Sequence, residues 1–399
     1  MERYGVPYKG SKNKIGETLC GVMPTALHFY DVFAGGCAIT HRMLVEGRFA
    51  HYHANDLDGM GLRLFISAVN GAYTHETRWI SREDFAKLKG TDPYVTLCWS
   101  FGNNAKAYMY SREIEPWKRA LHYARVFGDT EQLRAFGIEG DGSRADVIAH
   151  CDEYKRKYIR WWLSQQEHTA AELDALIERT KGDIRVQEEE LRQYLLGGLE
   201  SSGLTQAEVG RKLGTQMTGH YFGRSQWEFP TQEYYEQMQT FMPALDKGYN
   251  DVIGLHNLWQ SLQSLQSLQS LQSLQSLQSL QSLQILQTSF CDYRELQFEK
   301  DSVVYCDPPY RGTNAYDIQG REYSFDHAAF YDWAEKQTEL TIISEYDMPT
   351  DRFVCIWAKK KAKDMSASGG GHVTERLYIP KRQKDLYLLK SGRLFLEEY

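Results

Sequence analysis

The chain opens with short apolar runs that alternate with amphipathic stretches. HFYDVF (His28–Phe33) and AHYHAND are strand-like, whereas AITHRMLVEG and GMGLRLFISAVN repeat their apolar positions at helical spacing. This β–α–β–α order predicts a parallel sheet covered by helices. Past residue 92 the pattern changes to Trp/Tyr-rich loops and long charged helices, with periodic leucines from Asp152 to Leu199. From residue 288 the alternation returns. TSFCDYREL, SVVYCDPPY, ELTIISEY and DRFVCIWA are strand candidates, FDHAAFYDWAEKQ is a helix, and ERLYIP and DLYLLK close the sheet as an antiparallel end. The pattern therefore predicts an α/β domain with a Rossmann-like sheet, interrupted by a mainly helical insertion. Its halves are residues 1–92 and 288–399, the insertion is 93–250, and 251–287 form a linker.

Two segments stand apart from this alternation. In GLTQAEVGRKLGTQMTGHYFGRSQWEFPT, Thr205 and Glu208 have the spacing of a capping box, and Gly214 supplies a turn before a second short helix. Residues 201–229 thus make a candidate helix-turn-helix, a form shared by ordinary helical hairpins. From Ser261 to Gln284 the triplet SLQ repeats eight times. Each leucine advances about 300° around an α-helix, so no constant apolar face forms. The repeat reads as an expanded coding repeat tolerated as a spacer, with a packed or self-associating helix as the alternative.

Composition changes little in this picture. Of 399 residues, 42% are apolar and 25% charged, as in ordinary globular proteins. No apolar run reaches the length of a membrane span, and the N-terminus lacks a signal-peptide core. Seven scattered cysteines without a CxxC pair point to a reducing cytoplasm and away from a disulfide framework or structural zinc. The net charge of −7 does not advertise nucleic-acid binding. Two local basic patches do differ from it: YKRKYIRWW (Tyr154–Trp162), and Lys359 to Lys384 with eight Lys/Arg against two acidic residues.

Candidate chemistry sits at the strand ends. In VVYCDPPYRG the apolar run must stop at Asp307, because Pro308 and Pro309 have fixed φ and no N–H. The resulting loop is stiff and offers its carbonyls to a ligand. In DVFAGGCAI, Ala34, Gly35 and Gly36 allow a tight turn into a helix whose N–H groups can approach a ligand. No Lys-Ser/Thr follows, so this is not a P-loop. Asp56 ends the next strand about 20 residues on, the offset at which an acidic residue commonly accepts from ribose hydroxyls. The pair indicates a nucleoside-containing cofactor.

DPPY, the Asp-x-Phe-x-Gly turn, the acidic strand end and the leading YKGSKNKI together resemble the Dam-like DNA adenine methyltransferases, over about Arg3–Asp58 and Thr288–Pro380. GNNAKAYMY and GHYFGRSQWEFP are similar to phage-borne members of that group. The resemblance implies S-adenosylmethionine as cofactor and double-stranded DNA as partner, with a companion restriction endonuclease as a further possible partner. It also implies residue roles. Tyr8 and Lys12 would contact the cofactor, Phe33, Ala34 and Gly35 would line its methionine side, Asp56 its ribose, and Asp292 and Tyr293 its adenine edge. Asp307 and the Pro308 carbonyl would accept from the target amino group, with Pro309 stiffening the loop and Tyr310 stacked on the flipped base. Cys37 departs from the family pattern, where many members have a further glycine. His220, Arg224 and Gln226, on the candidate second helix, are the base readers expected, and Lys360 and Lys361 the phosphate contacts. Two other readings stay open: transfer to the 4-amino group of cytosine, and a DNA-binding regulator on an inactive methylase fold. The intact Asp307 and Tyr310 speak against the latter.

Overall fold

The computed structural model describes residues 4–181, 184–224, 227–262, 274–275, 277, 286–311, 316–318, 321–362 and 372–394. The chain divides into two compact units, one of residues 1–109, 266–361 and 372–399, the other of 110–265 and 362–371. The first break thus falls after Met109, later than the change of pattern at residue 92.

The first unit is built on a seven-stranded sheet. Its strands are β1 (His28–Asp31), β2 (His51–Asn55), β3 (Leu286–Ser289), β4 (Ser302–Cys306), β7 (Leu340–Glu345), β8 (Phe353–Ala362) and β9 (His372–Pro380). A separate antiparallel pair comprises β5 (Tyr316–Ile318) and β6 (Arg321–Tyr323). The sheet order is β3-β2-β1-β4-β7-β9-β8. Five neighbours from β3 to β7 run parallel, and β9 lies antiparallel to β7 with Ile343 opposite Tyr378. All of SVVYC in β4 and all of LTIISE in β7 are buried, the pattern of strands covered on both faces. Three helices lie in the N-terminal part of this unit: α1 (Gly16–Val22), α2 (Ala38–Glu46) and α3 (Met60–Val69). From β1 the chain moves to β2 on one side and later to β4 on the other. The crevice at the carboxyl ends of β1 and β4 is therefore the switch point where open α/β sheets bind ligands.

Two strand expectations are corrected. In TSFCDYREL the strand ends at Ser289, and Tyr293–Glu295 form a 3₁₀ turn. The cause is local: the Asp292 carboxylate accepts the Arg294 N–H at 2.9 Å and starts the turn. DLYLLK lies in a helix, Lys384–Ser391. Gln383 and Tyr387, four residues apart, are buried while Leu389 is 81% exposed, and Gly392 ends the helix at φ +67°. An apolar run this short fits either period.

Most of the SLQ repeat lies outside the described residues. The three leucines of the repeat that are described, Leu262, Leu274 and Leu277, are all buried, and Gln275 Nε2 donates to the Thr74 carbonyl at 3.4 Å. Tertiary packing thus recruits these three leucines, which no helical stripe aligns. Leu277→Ala should cost ~2–5 kcal/mol of stability, as for other fully buried leucines. Denaturant unfolding that shows no loss would mean that Leu277 is not a packing residue.

The second unit is helical around a core that includes Leu195, Val209, Tyr221, Phe222, Tyr235, Met238 and Met242. No described helix of the chain is long and apolar enough to cross a membrane.

Candidate active site

The glycine turn is tied to both neighbours of β1. The Val32 N–H donates to the Tyr305 carbonyl at 2.9 Å, and the Ala34 N–H to the Asn55 carbonyl at 2.8 Å. Gly35 takes φ +48°. A side chain at Gly36 would come within 2.5 Å of Tyr8 Cβ, and one at Gly61 in α3 would overlap the Gly35 carbonyl. The turn is thus pressed between the Tyr8 segment and α3. Cys37, the departure from the family pattern, adopts left-handed φ +59° as the residue preceding α2, with its side chain fully buried. That conformation is one glycine adopts freely and other residues reach at a cost of about 1–2 kcal/mol.

Asp56 stands at the carboxyl end of β2 and faces this turn. Its Oδ2 accepts the Gly35 N–H at 2.8 Å and its Oδ1 the Gly59 N–H at 2.9 Å. Burial raises its carboxyl, and these N–H groups pull it back. Asn55 beside it gave no signal in the sequence, yet it joins three strand ends. Its Nδ2 donates to the Val32 and Cys291 carbonyls at 3.1 and 3.0 Å, and its Oδ1 accepts from Ser289 Oγ at 2.8 Å. Phe33 packs 5.6 Å from the buried Tyr293 ring, within a cluster that includes Phe325 and Phe330. Asp292 is held by Arg294 at 2.7 Å.

β4 delivers Asp307 at the other wall of the crevice. Lys12 Nζ lies 2.9 Å from Asp307 Oδ1, 3.5 Å from Glu375 Oε1 and 4.5 Å from the centroid of the Tyr310 ring. The structure therefore brings Lys12, expected on the cofactor, to the DPPY segment. The Tyr310 hydroxyl bonds Ser344 Oγ at 2.6 Å and donates to Glu375, and Tyr346 meets its ring edge-on at 4.5 Å. The loop is pinned on both sides. His327 Nε2 donates to the Pro309 carbonyl at 2.9 Å, and Glu345 accepts the Arg311 and Tyr346 N–H groups at 3.0 and 2.7 Å. Burial raises the Asp307 carboxyl, Lys12 opposes this, and Glu375 adds to it. Burial likewise pushes Glu345 up to about 7, and Asp31, which accepts from Thr40 Oγ1 at 2.6 Å, up to about 7. The site is a set of buried acceptors around one ammonium group. Among the described residues, no three His, Cys, Asp or Glu side chains form a metal-ligating group.

The capping box of Thr205 and Glu208 is present on helix Gln206–Leu213, and Gly214 turns at φ +66°. The following helix, Thr218–Phe222, has only five residues, of which Thr218, Tyr221 and Phe222 are buried. His220 lies on it, half-buried. Arg224 does not: Gly223 ends the helix in an extended conformation, leaving Arg224 in the loop with 80% of its side chain exposed and 3.6 Å from Glu189. Gln226 lies outside the described residues. Lys360 is exposed on β8, and Lys361 follows it in the strand.

Residues 8–124 match the family model of the D12 class N6 adenine-specific DNA methyltransferases. That stretch carries Tyr8, Lys12, the glycine turn and Asp56. No curated protein matches the chain significantly. The glycine turn closed by Tyr8 and α3 and the acidic end of β2 agree with this match: residues 8–124 are similar to the D12 class N6 adenine-specific DNA methyltransferases, a family whose cofactor is S-adenosylmethionine.

Proposed function

We propose that this enzyme methylates the exocyclic N6 of an adenine turned out of duplex DNA, with Asp307 and the Pro308 carbonyl holding the amino group. The observation that carries the reading is the Lys12–Asp307 pair at the end of β4, across the switch point from the glycine turn.

The crevice suits the cofactor. The Gly35–Gly36 turn is a cradle that side chains would fill. The Asp56 carboxylate accepts the Gly35, Gly59 and Asp58 N–H groups, and an ionised carboxylate offers about four lone-pair sites, which leaves one for a ribose hydroxyl. Tyr8, Phe33, Ala34, Gly35 and Asp56 would hold the cofactor, with Asp292 and Tyr293 at the adenine edge. Bound there, it supplies an electrophilic methyl group on a sulfonium.

The protein's own task is to make a poor nucleophile competent. The lone pair of an adenine amino nitrogen is delocalised into the ring. Acceptors on both N–H bonds favour a pyramidal nitrogen and aim its lone pair outward. Asp307 must be ionised for this, and Lys12 at 2.9 Å counters the burial that would protonate it. Pro308 and Pro309 keep the carbonyls fixed, so no reorganisation is needed in the transition state. Tyr310 offers an aromatic face to a base that has lost its stack.

For recognition, His220 and Arg224 are assigned to base readout, with Gln226 beside them, and Lys360 and Lys361 to phosphates. The exposure of Arg224 and Lys360 supports this. The phage-type affiliation rests on the resemblance of GNNAKAYMY and GHYFGRSQWEFP, and a companion restriction endonuclease is the partner such an enzyme would have.

Sequencing of modified bases in DNA from cells expressing the chain tests this reading. N6-methyladenine at one motif is the expected outcome, and N4-methylcytosine instead would favour the cytosine alternative. Asp56→Ala separates cofactor binding from chemistry. It should weaken S-adenosylmethionine binding in calorimetry while leaving single-turnover rates at saturating cofactor much less affected. Normal affinity with lost chemistry would reverse the assignment.

A further inference from the structure

Glu375 lies on β9, the antiparallel strand next to β7, and is fully buried. Leu377 and Ile379 share its face of the strand and are also fully buried. A carboxylate in such surroundings is costly unless it is paired. Its pairing is specific. Glu375 Oε1 lies 3.5 Å from Lys12 Nζ, accepts from Ser344 Oγ at 3.1 Å, and accepts from the Tyr310 hydroxyl. Lys12 and Tyr310 belong to the methyl-transfer centre, and Ser344 bonds the same Tyr310 hydroxyl.

We infer that Glu375 is a positioning residue for methyl transfer: it anchors the Lys12 ammonium against Asp307 and the Tyr310 hydroxyl against β7 before the base arrives. This rests on the assignment of Asp307 to the target amino group. Lys12 is reached from two sides, by Asp307 from β4 and Glu375 from β9, so neither carboxylate faces the other without a cation nearby. Tyr310 cannot swing away without breaking its bonds to Ser344 and Glu375.

Several charged or titratable groups face Asp307. Lys12 approaches from the 3₁₀ turn Lys12–Lys14, Glu375 from β9, Asp31 from β1, Glu345 from β7, Tyr305 and Cys306 from β4, and Tyr310 from the same loop. After burial, Lys12 lowers the Asp307 carboxyl and Glu375 raises it. Removing the Glu375 charge should therefore keep Asp307 ionised to lower pH, while the loosened Lys12 and Tyr310 slow the reaction.

The test compares Glu375→Gln, Glu375→Asp and Lys12→Gln with the wild-type enzyme on duplex DNA. Glu375→Gln should lower kcat by about 10²-fold, the scale of a roughly 1 Å misplacement, with a smaller change in KM. The acidic limb of its pH profile should move to lower pH, and so should the Asp307 carboxyl titration followed by ¹³C NMR without cofactor. Glu375→Asp keeps the charge and should keep the limb in place with intermediate kcat. Lys12→Gln should move the limb to higher pH. A kcat loss in Glu375→Gln that follows only a lowered Tm, with the Asp307 titration unmoved, would overturn the inference. If Glu375→Gln does not fold, a displaced limb in Glu375→Asp would overturn it instead. Asp307→Ala separates the two levels. If that variant is inactive and the limb is unmoved, only the Glu375 role fails, whereas wild-type turnover in Asp307→Ala removes the assignment beneath it.

Discussion

Asp307→Ala is expected to lower methyl transfer to duplex DNA by ~10²–10³-fold, the usual cost of deleting one preorganised transition-state contact. Cofactor affinity should change little, because the hydrogen bonds of the glycine turn run to Asp56 and Asn55 and not to Asp307. The fold should survive as well. Losing one partner of a buried ion pair is severe when the other charge is stranded. Here Lys12 keeps Glu375 at 3.5 Å. A tritiated-methyl assay with calorimetry on the same preparation separates these effects, and near wild-type turnover would rule out the assigned role.

Gly61→Ala should produce the second large effect, through sterics. Gly61 lies in the first turn of α3, and a Cβ there would overlap the Gly35 carbonyl oxygen. The obstacle is backbone on both sides, so no side chain can rotate away. Either α3 or the glycine turn must move, and the Gly35 N–H is the donor to Asp56 Oδ2. The expected cost is about 1–3 kcal/mol of stability, typical of overpacking. S-adenosylmethionine affinity should also fall by more than about tenfold, equivalent to 1.4 kcal/mol at the cofactor turn. Gly16→Ala is the control, since its Cβ would meet the Ile39 side chain at an ordinary 3.7 Å. Equal affinities for the two variants would show that the approach of α3 does not shape the cofactor site.

The parts of this site that could be read from the sequence are those with a local cause. The β4 strand announces itself as the short apolar run VVYC, the prolines mark where it must stop, and the small residues after Phe33 mark a tight turn. The groups without a local signature act at long range. Asn55, Ser344 and Glu375 are polar residues inside strand-like stretches, and nothing nearby in the chain says which partners the sheet order will bring to them. Glu375 reaches Lys12 because β9 lies beside β7, next to β4, which no local pattern encodes. Gly61 reads as a mild helix defect until α3 is seen against the glycine turn. Helical spacing was also an incomplete guide for the SLQ leucines, whose burial depends on surrounding structure. Arg224 falls off the helix because the helix ends at Phe222, two residues before it.

Methyl transfer to adenine N6 leaves a modified nucleoside that identifies the reaction. Purified enzyme would be incubated with tritiated-methyl S-adenosylmethionine and unmethylated genomic DNA, and the DNA then digested to nucleosides and separated. Label should co-migrate with N6-methyldeoxyadenosine for the wild type and be lost for Asp307→Ala. Label in N4-methyldeoxycytidine, or no label in DNA from a folded, cofactor-binding enzyme, would contradict transfer to adenine N6.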